Sequence, residues 1–190
     1  MLALHGFDVY GLEISAAGVS SAQSYACNEL QKPQKYNFGE RKSGSTAPGS
    51  VTFIQGDFFK SDWEHKALEG GEIQFDLIYD YTFLCALHLD MRQQWSKRME
   101  GLIRCDGYLV CLEFPLYKDK ALPGPPWGLQ GVHWDLLARG GNGIDNIDMA
   151  PEITQECQLG GQFKRVLYIK PARSYESGQG TDMLSVYALK

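Results

Sequence analysis

The apolar run Leu77-Ile78-Tyr79 climbs directly into an acid-aromatic step, Asp80-Tyr81, and the chain then passes through Thr82-Phe83-Leu84-Cys85 into a stretch with helical spacing. In an open parallel sheet, ligands sit beyond the carboxyl ends of the strands, so a polar pair just past an apolar run marks where binding chemistry is expected. A plainer reading fits the same letters: Asp80 starts a turn and Tyr81 packs, since Asp is common after strands. The pattern recurs, however. Phe7 to Leu12 runs onto Glu13, and Val51-Thr52-Phe53-Ile54-Gln55 breaks at Gly56 to expose Asp57 followed by Phe58 and Phe59. A further apolar run, Tyr108-Leu109-Val110-Cys111-Leu112, finishes on Glu113.

Helical patterns separate these runs. Met1 to Gly6 reads as the tail of a helix closed by a glycine. Ser15 is placed to cap a helix reaching about Lys32, with Val19, Ala22, Ala26 and Leu30 on one modest apolar face. Asp90 is placed to cap a second helix, with Met91, Trp95, Met99 and Leu102 as its buried stripe and Gly107 ending the turn beyond it. Residues 33–50, rich in Pro, Gly and Ser, read as a loop insertion, with a lid over a site as the functional alternative. Residues 60–74 read as a polar connector pinned by Trp63 and Leu68. Leu122 to Gly128 is too proline-rich to be helical, and His133 to Arg139 reads as a short helical turn ending at Gly140-Gly141. Two late strands, Phe163–Ile169 and Met183–Leu189, are joined by a linker too short for a crossover helix, so they should pair antiparallel. The expectation is an α/β chain, 1–190 forming one domain, built on a mostly parallel Rossmann-like sheet with an antiparallel C-terminal pair.

Composition narrows the function classes. A net charge of -5 without a basic stripe argues against nucleic acid as a partner. No apolar run approaches the ~20 residues of a membrane helix, and no charged leader precedes one, so no membrane partner is expected. The five cysteines form no Cys-x-x-Cys pair and the four histidines show no ligand spacing. That pattern points to reduced thiols in a cytoplasmic compartment and to no metal site. Oligomeric state is left open.

Three successive strand ends thus present Glu13, Asp57 and Asp80, the last two with rings beside them. Such a row suits a nucleoside: one carboxylate accepts from the ribose hydroxyls, another from an exocyclic amine, and rings cover the purine face. Acids that merely begin turns account for each position taken singly.

The segments Gly11-Leu12-Glu13-Ile14-Ser15, Gly56-Asp57-Phe58-Phe59, Phe75 to Ala86 and Leu112-Glu113-Phe114-Pro115 together resemble the thiopurine methyltransferase-like family, in its fungal and plant thiol or halide methyltransferase branch. The Lys118-Asp119 to Gly128 loop and the ending Lys170-Pro171-Ala172-Arg173 with Gly180-Thr181-Asp182-Met183 resemble its fungal members. The resemblance implies a class I methyltransferase sheet and S-adenosylmethionine as cofactor. It implies that Glu13 takes the ribose hydroxyls, that Asp57 and Phe58 hold the adenine, and that Tyr81 lies against the cofactor near the reacting end. Asp80, beside it, is the nearest candidate for a catalytic base, and the acceptor is a small-molecule thiol or related sulfur or halide nucleophile. Family members also carry a tryptophan-containing N-terminal region and a first strand leading into a glycine-rich turn. No Gly-x-Gly precedes Glu13 here, so the resemblance implies a sheet lacking that strand. Two functions stay open on the sequence: a thiol methyltransferase, or a methyltransferase-like protein without methyl transfer that serves as a binding partner or as a cofactor-independent catalyst of a rearrangement. Phe83, Phe114, Trp127 and Trp134 either line an acceptor pocket or belong to the core.

Overall fold

The computed structural model describes residues 1–38, 47–67, 74–144, 160–174, 176–178 and 180–190. The chain divides into two compact units, Met1–Ile73 and Gln74–Lys190.

In the first unit, a 3-10 turn over Leu2–His5 closes on Gly6 in the left-handed region (φ 93°), where a glycine meets no Cβ penalty. β1 (Val9–Glu13) and β2 (Val51–Gln55) pair in parallel from Val9↔Val51 to Glu13↔Gln55. α1 (Ala16–Gln31) starts as predicted, with the Ser15 side chain accepting from the Gly18 N–H. Its apolar face is only half-buried at Val19, Ala22, Ala26 and Leu30. Within the residues expected to form a loop insertion, Lys35–Phe38 forms one helical turn, α2, and residues 39–46 lie outside the described residues. The predicted connector contains α3 (Glu64–Ala67) behind a buried Trp63, while Leu68 is outside the described residues. Among the described residues, the buried apolar side chains of this unit are Ala3, Leu4, Ile54, Trp63 and Ala67.

The second unit is built on a four-stranded sheet in the order β3-β4-β6-β5, with β3 at Phe75–Tyr81, β4 at Ile103–Glu113, β5 at Phe163–Ile169 and β6 at Met183–Leu189. β3 and β4 are parallel; β6 runs antiparallel to both β4 and β5. All six predicted strands form, in two ladders rather than one, and the antiparallel C-terminal pair is present. Two local expectations change. β4 leaves α4 (Arg92–Leu102) without a turn, so Gly107 sits inside the strand. There a Cβ would lie 2.9 Å from the Phe75 carbonyl, and glycine permits that close approach beside the irregularity in the β3–β4 register. Asp90 does not cap α4. It pairs with His88 Nδ1 at 3.1 Å while a 3-10 turn over Leu89–Met91 leads into the helix.

Trp95, Met99 and Leu102 of α4 are buried as predicted. Arg92, on the same helix, is buried as well; its guanidinium donates to the carbonyls of Gly143 and Gly128, tying two loops to α4. The predicted turn after His133 is α5 (Val132–Trp134), which widens into a π-helical turn over Asp135–Arg139 and ends at Gly140. Every residue from Val132 to Ala138 is buried. The Leu122–Gly128 loop is non-helical, and Lys118 Nζ donates to the Pro123 and Pro126 carbonyls across it. Among the described residues no helix is long and apolar enough to cross a membrane.

Candidate functional site

In the first unit the parallel register sends Glu13 and the Asp57-Phe58 step off the same edge, since Glu13 is opposite Gln55. Two bonds stitch these strand ends together: Gly56 N–H donates to the Glu13 carbonyl (3.0 Å) and Gln55 Nε2 to the Ile14 carbonyl (3.3 Å). Glu13 is half-buried; its Oε1 accepts from the Ser15 N–H at 2.8 Å, which aims the carboxylate at the start of α1. Gly18 makes room for it, because a Cβ there would lie 2.7 Å from Glu13 Cγ and 2.8 Å from Cδ. Asp57 accepts from the Phe59 N–H at 2.9 Å, the turn-starting bond its position suggests, and stands 4.0 Å from Lys60 Nζ. The half-buried ring of Phe58 meets Phe59 edge-on. Glu13, Asp57 and Phe58 are therefore neighbours.

In the second unit β3 delivers Asp80 and Tyr81 together, opposite Cys111 and Leu112 of β4. Asp80 is 4% exposed. Its Oδ2 accepts from Trp95 Nε1 at 3.0 Å and its Oδ1, more loosely, from the Leu84 N–H at 3.5 Å. Burial outweighs these bonds and pushes its pKa up to about 6. Tyr81 is half-buried and its ring meets Phe114 at 6.2 Å, which in turn meets Tyr117 at 6.0 Å. The next residue, Thr82, has φ 63°, a conformation β-branched side chains avoid and which persists only where the surroundings impose it. Here the Thr82 carbonyl accepts from Cys85 Sγ and its hydroxyl donates to the Tyr81 carbonyl.

Sequence reasoning gave no role to His133 and noted Glu113 as a strand end and as part of the Leu112–Pro115 segment, without a role of its own. The fold sets them against each other, with His133 Nδ1 4.0 Å from Glu113 Oε2 and both side chains almost fully buried. The hydroxyls of Ser185 and Tyr187 lean on the Glu113 carboxylate electrostatically but complete no hydrogen bond of ordinary geometry, and Glu113 Oε1 has no partner. Burial, the dominant influence, pushes Glu113 up to about 7. Burial and then the Arg92 charge push His133 down to about 3. Near neutrality, then, the imidazole is neutral and the carboxyl readily gains or loses its proton. No local pattern signals this pair, since 20 residues separate its members; the only cue was an acid ending an apolar strand.

A carboxyl whose folded pKa lies above its unfolded value supports the fold fully below the unfolded value, and that support is lost as pH rises through the folded one. For Glu113 the window runs from 4.5 to about 7. Its width corresponds to roughly 1.4 kcal/mol per pH unit. Urea denaturation at pH 5 and pH 8 should therefore show Glu113→Gln losing less stability than the unsubstituted chain on going to pH 8, by roughly 3 kcal/mol. His133, with its lowered pKa, acts in the opposite sense below 6.5, and its contribution largely cancels between the two chains. Equal pH dependence in both would show that Glu113 is ionised in the fold throughout.

The sequence matches the model of the family described as Thiopurine S-methyltransferase over residues 1–152. It is 35% identical over 111 residues to probable thiol methyltransferase 2 of Arabidopsis thaliana, covering 56% of this chain and 45% of that protein. Against a thiopurine S-methyltransferase of Pseudomonas paraeruginosa it is 29% identical over 165 residues, covering 73% of this chain and 69% of that protein. The chain spans less than half the length of the plant thiol and thiocyanate methyltransferases it matches. A solved SAM-dependent methyltransferase from Methanosarcina mazei aligns over 100% of this chain and 84% of its own, with a TM-score of 0.52 at 16% identity. That likeness bears out the Rossmann-like α/β fold read from the strand pattern.

Proposed function

The chain belongs to the thiopurine S-methyltransferase family, and on that premise we propose that it is an S-adenosylmethionine-dependent methyltransferase acting on the sulfur of a small thiol. The observation that carries the proposal is the parallel β1–β2 pair, which sends a carboxylate and an acid-aromatic step off one edge. That is the chemistry an adenosine needs: Glu13 receives the ribose hydroxyls, Asp57 the adenine amine, and Phe58 the purine face. Fit is supported by Glu13 itself, whose Oε1 is fixed by Ser15 while its Oε2 accepts nothing among the described residues. For Tyr81, which ends β3 in the second unit, the role carried into the proposal is the one the family resemblance implies, contact with the cofactor, and the bonds at Thr82 hold the turn that follows it.

When bound, S-adenosylmethionine supplies a sulfonium methyl group to a thiolate. The protein's task is positioning and exclusion of water, because charge is annihilated as the methyl moves. A thiol of pKa about 8.5 is already a few per cent ionised near neutrality. The proposal therefore asks no proton transfer of Asp80, whose oxygens are engaged by Trp95 and Leu84.

Calorimetry with S-adenosylhomocysteine, followed by a methyl-transfer assay on small thiols, tests the proposal: micromolar binding and a methylated thiol support it, and no binding at millimolar ligand overturns it. Gly18→Ala gives a sharper check. Alanine in place of glycine favours a helix by about 1 kcal/mol, yet its methyl collides with the Glu13 side chain. Affinity for S-adenosylhomocysteine should fall about tenfold without any fall in melting temperature, whereas unchanged affinity would remove Glu13 from the binding set.

A further inference from the structure

In the second unit, the carboxyl end of β4 meets α5 and the β5–β6 pair around a cavity of about 400 Å³. Its apolar lining includes Leu116, Trp134, Tyr168 and Met183, and its charged lining is Glu113 and Arg165. Tyr168, 42% exposed, opens it to solvent.

The polar groups here are incompletely matched. Glu113 is 2% exposed and its Oε1 has no partner. Trp134 Nε1 is also buried without one. The Arg165 guanidinium lies 4.2 Å over the Tyr168 ring and is felt electrostatically at Glu113, but among the described residues the two form no ion pair. Buried polar groups without partners each cost about 1–3 kcal/mol, so two of them on residues lining one open cavity mark a place where a ligand completes the bonding. A bare anion would satisfy Arg165 but confront Glu113. A purely apolar thiol would leave Glu113 Oε1 and Trp134 Nε1 unmatched. Only a ligand with a donor on one side and an acceptor on the other answers both charges.

We propose that this cavity holds the methyl acceptor and that Glu113 and Arg165 select it: a small thiol carrying a hydrogen-bond donor, received by Glu113, and a carboxylate or carbonyl, held by Arg165. The inference rests on the methyl-transfer function proposed above. Glu113 is followed in the chain by Phe114, whose ring meets Tyr81. In the transfer, the acceptor's S–H proton passes to solvent and its sulfur bonds the methyl carbon. The bond from that carbon to the sulfonium breaks, leaving a neutral thioether.

Four probes titrated by calorimetry in saturating S-adenosylhomocysteine test this: L-cysteine carries both groups, cysteamine the donor, 3-mercaptopropionate the carboxylate, and thiocyanate is a bare anion. L-Cysteine should bind tightest and thiocyanate at least tenfold more weakly. Glu113→Gln should weaken L-cysteine and cysteamine about tenfold and leave 3-mercaptopropionate no weaker; Arg165→Met should weaken L-cysteine and 3-mercaptopropionate but not cysteamine. Both variants should keep their affinity for S-adenosylhomocysteine, which separates a change in the cavity from loss of the fold. Thiocyanate binding as tightly as L-cysteine, or one common loss for every probe, overturns the assignment. Should S-adenosylhomocysteine itself fail to bind, the methyl-transfer function falls, and L-cysteine is titrated alone: binding that Glu113→Gln abolishes supports the cavity's selectivity, and no binding overturns that too.

Discussion

Glu13→Ala is expected to abolish measurable S-adenosylhomocysteine binding, raising the dissociation constant at least a hundredfold. Two hydroxyl donors on one carboxylate make charge-assisted bonds of about 1.5–3 kcal/mol each, and losing roughly 3 kcal/mol is already more than a factor of 100. The fold should tolerate the change. Glu13 is half-buried at a strand end, and among the described residues its side chain accepts only from the Ser15 N–H, so the melting temperature should shift little. Binding retained within a few-fold of the original would mean that another group holds the ribose. Tyr81→Ala, measured alongside, reports on the second unit and should weaken binding less, because ring contact is lost rather than a charge.

Trp95→Ala should cost the second unit about 3–5 kcal/mol, the range for emptying a buried indole site. Removing the donor to Asp80 Oδ2 leaves a buried acceptor poorly satisfied, adding about 1–3 kcal/mol. Against total stabilities of about 5–15 kcal/mol, the variant stands near the limit of folding. Trp95→Phe separates the two contributions: the ring volume is largely kept and the indole N–H is lost. Urea titrations of the three proteins should therefore give midpoints in the order unsubstituted chain, Trp95→Phe, Trp95→Ala. Without that bond, which lowers its pKa, Asp80 should also titrate higher than about 6. A Trp95→Phe chain as stable as the unsubstituted one would show that the Asp80–Trp95 bond contributes nothing net, and that packing alone fixes α4 against the sheet.

Near-neighbour chemistry was legible in the letters. Short apolar runs located six strands; Ser15 and the Val19, Ala22, Ala26, Leu30 spacing located α1; the short linker after Ile169 gave the antiparallel pairing. Where a local signal competed with tertiary demand, the letters misled. Asp90 has the chemistry of a cap, but His88 lies within its reach. Gly107 has the chemistry of a turn, but its missing Cβ serves the approach of β3. Arginine is seldom buried, and the carbonyls of two distant loops, which no local pattern reveals, make the burial of Arg92 tolerable.

From the sequence alone came the acids at strand ends and, separately, the contiguous segments that carry the family resemblance, because backbone direction and local motifs are dictated by residues a few positions apart. Only the tertiary structure decided which of those acids are solvated and which are not. Glu13 faces the start of its own helix. Asp80 is sealed against an indole 15 residues away, and Glu113 against an imidazole 20 residues away. Desolvation is set by whatever packs around a group, and what packs there comes from distant parts of the chain.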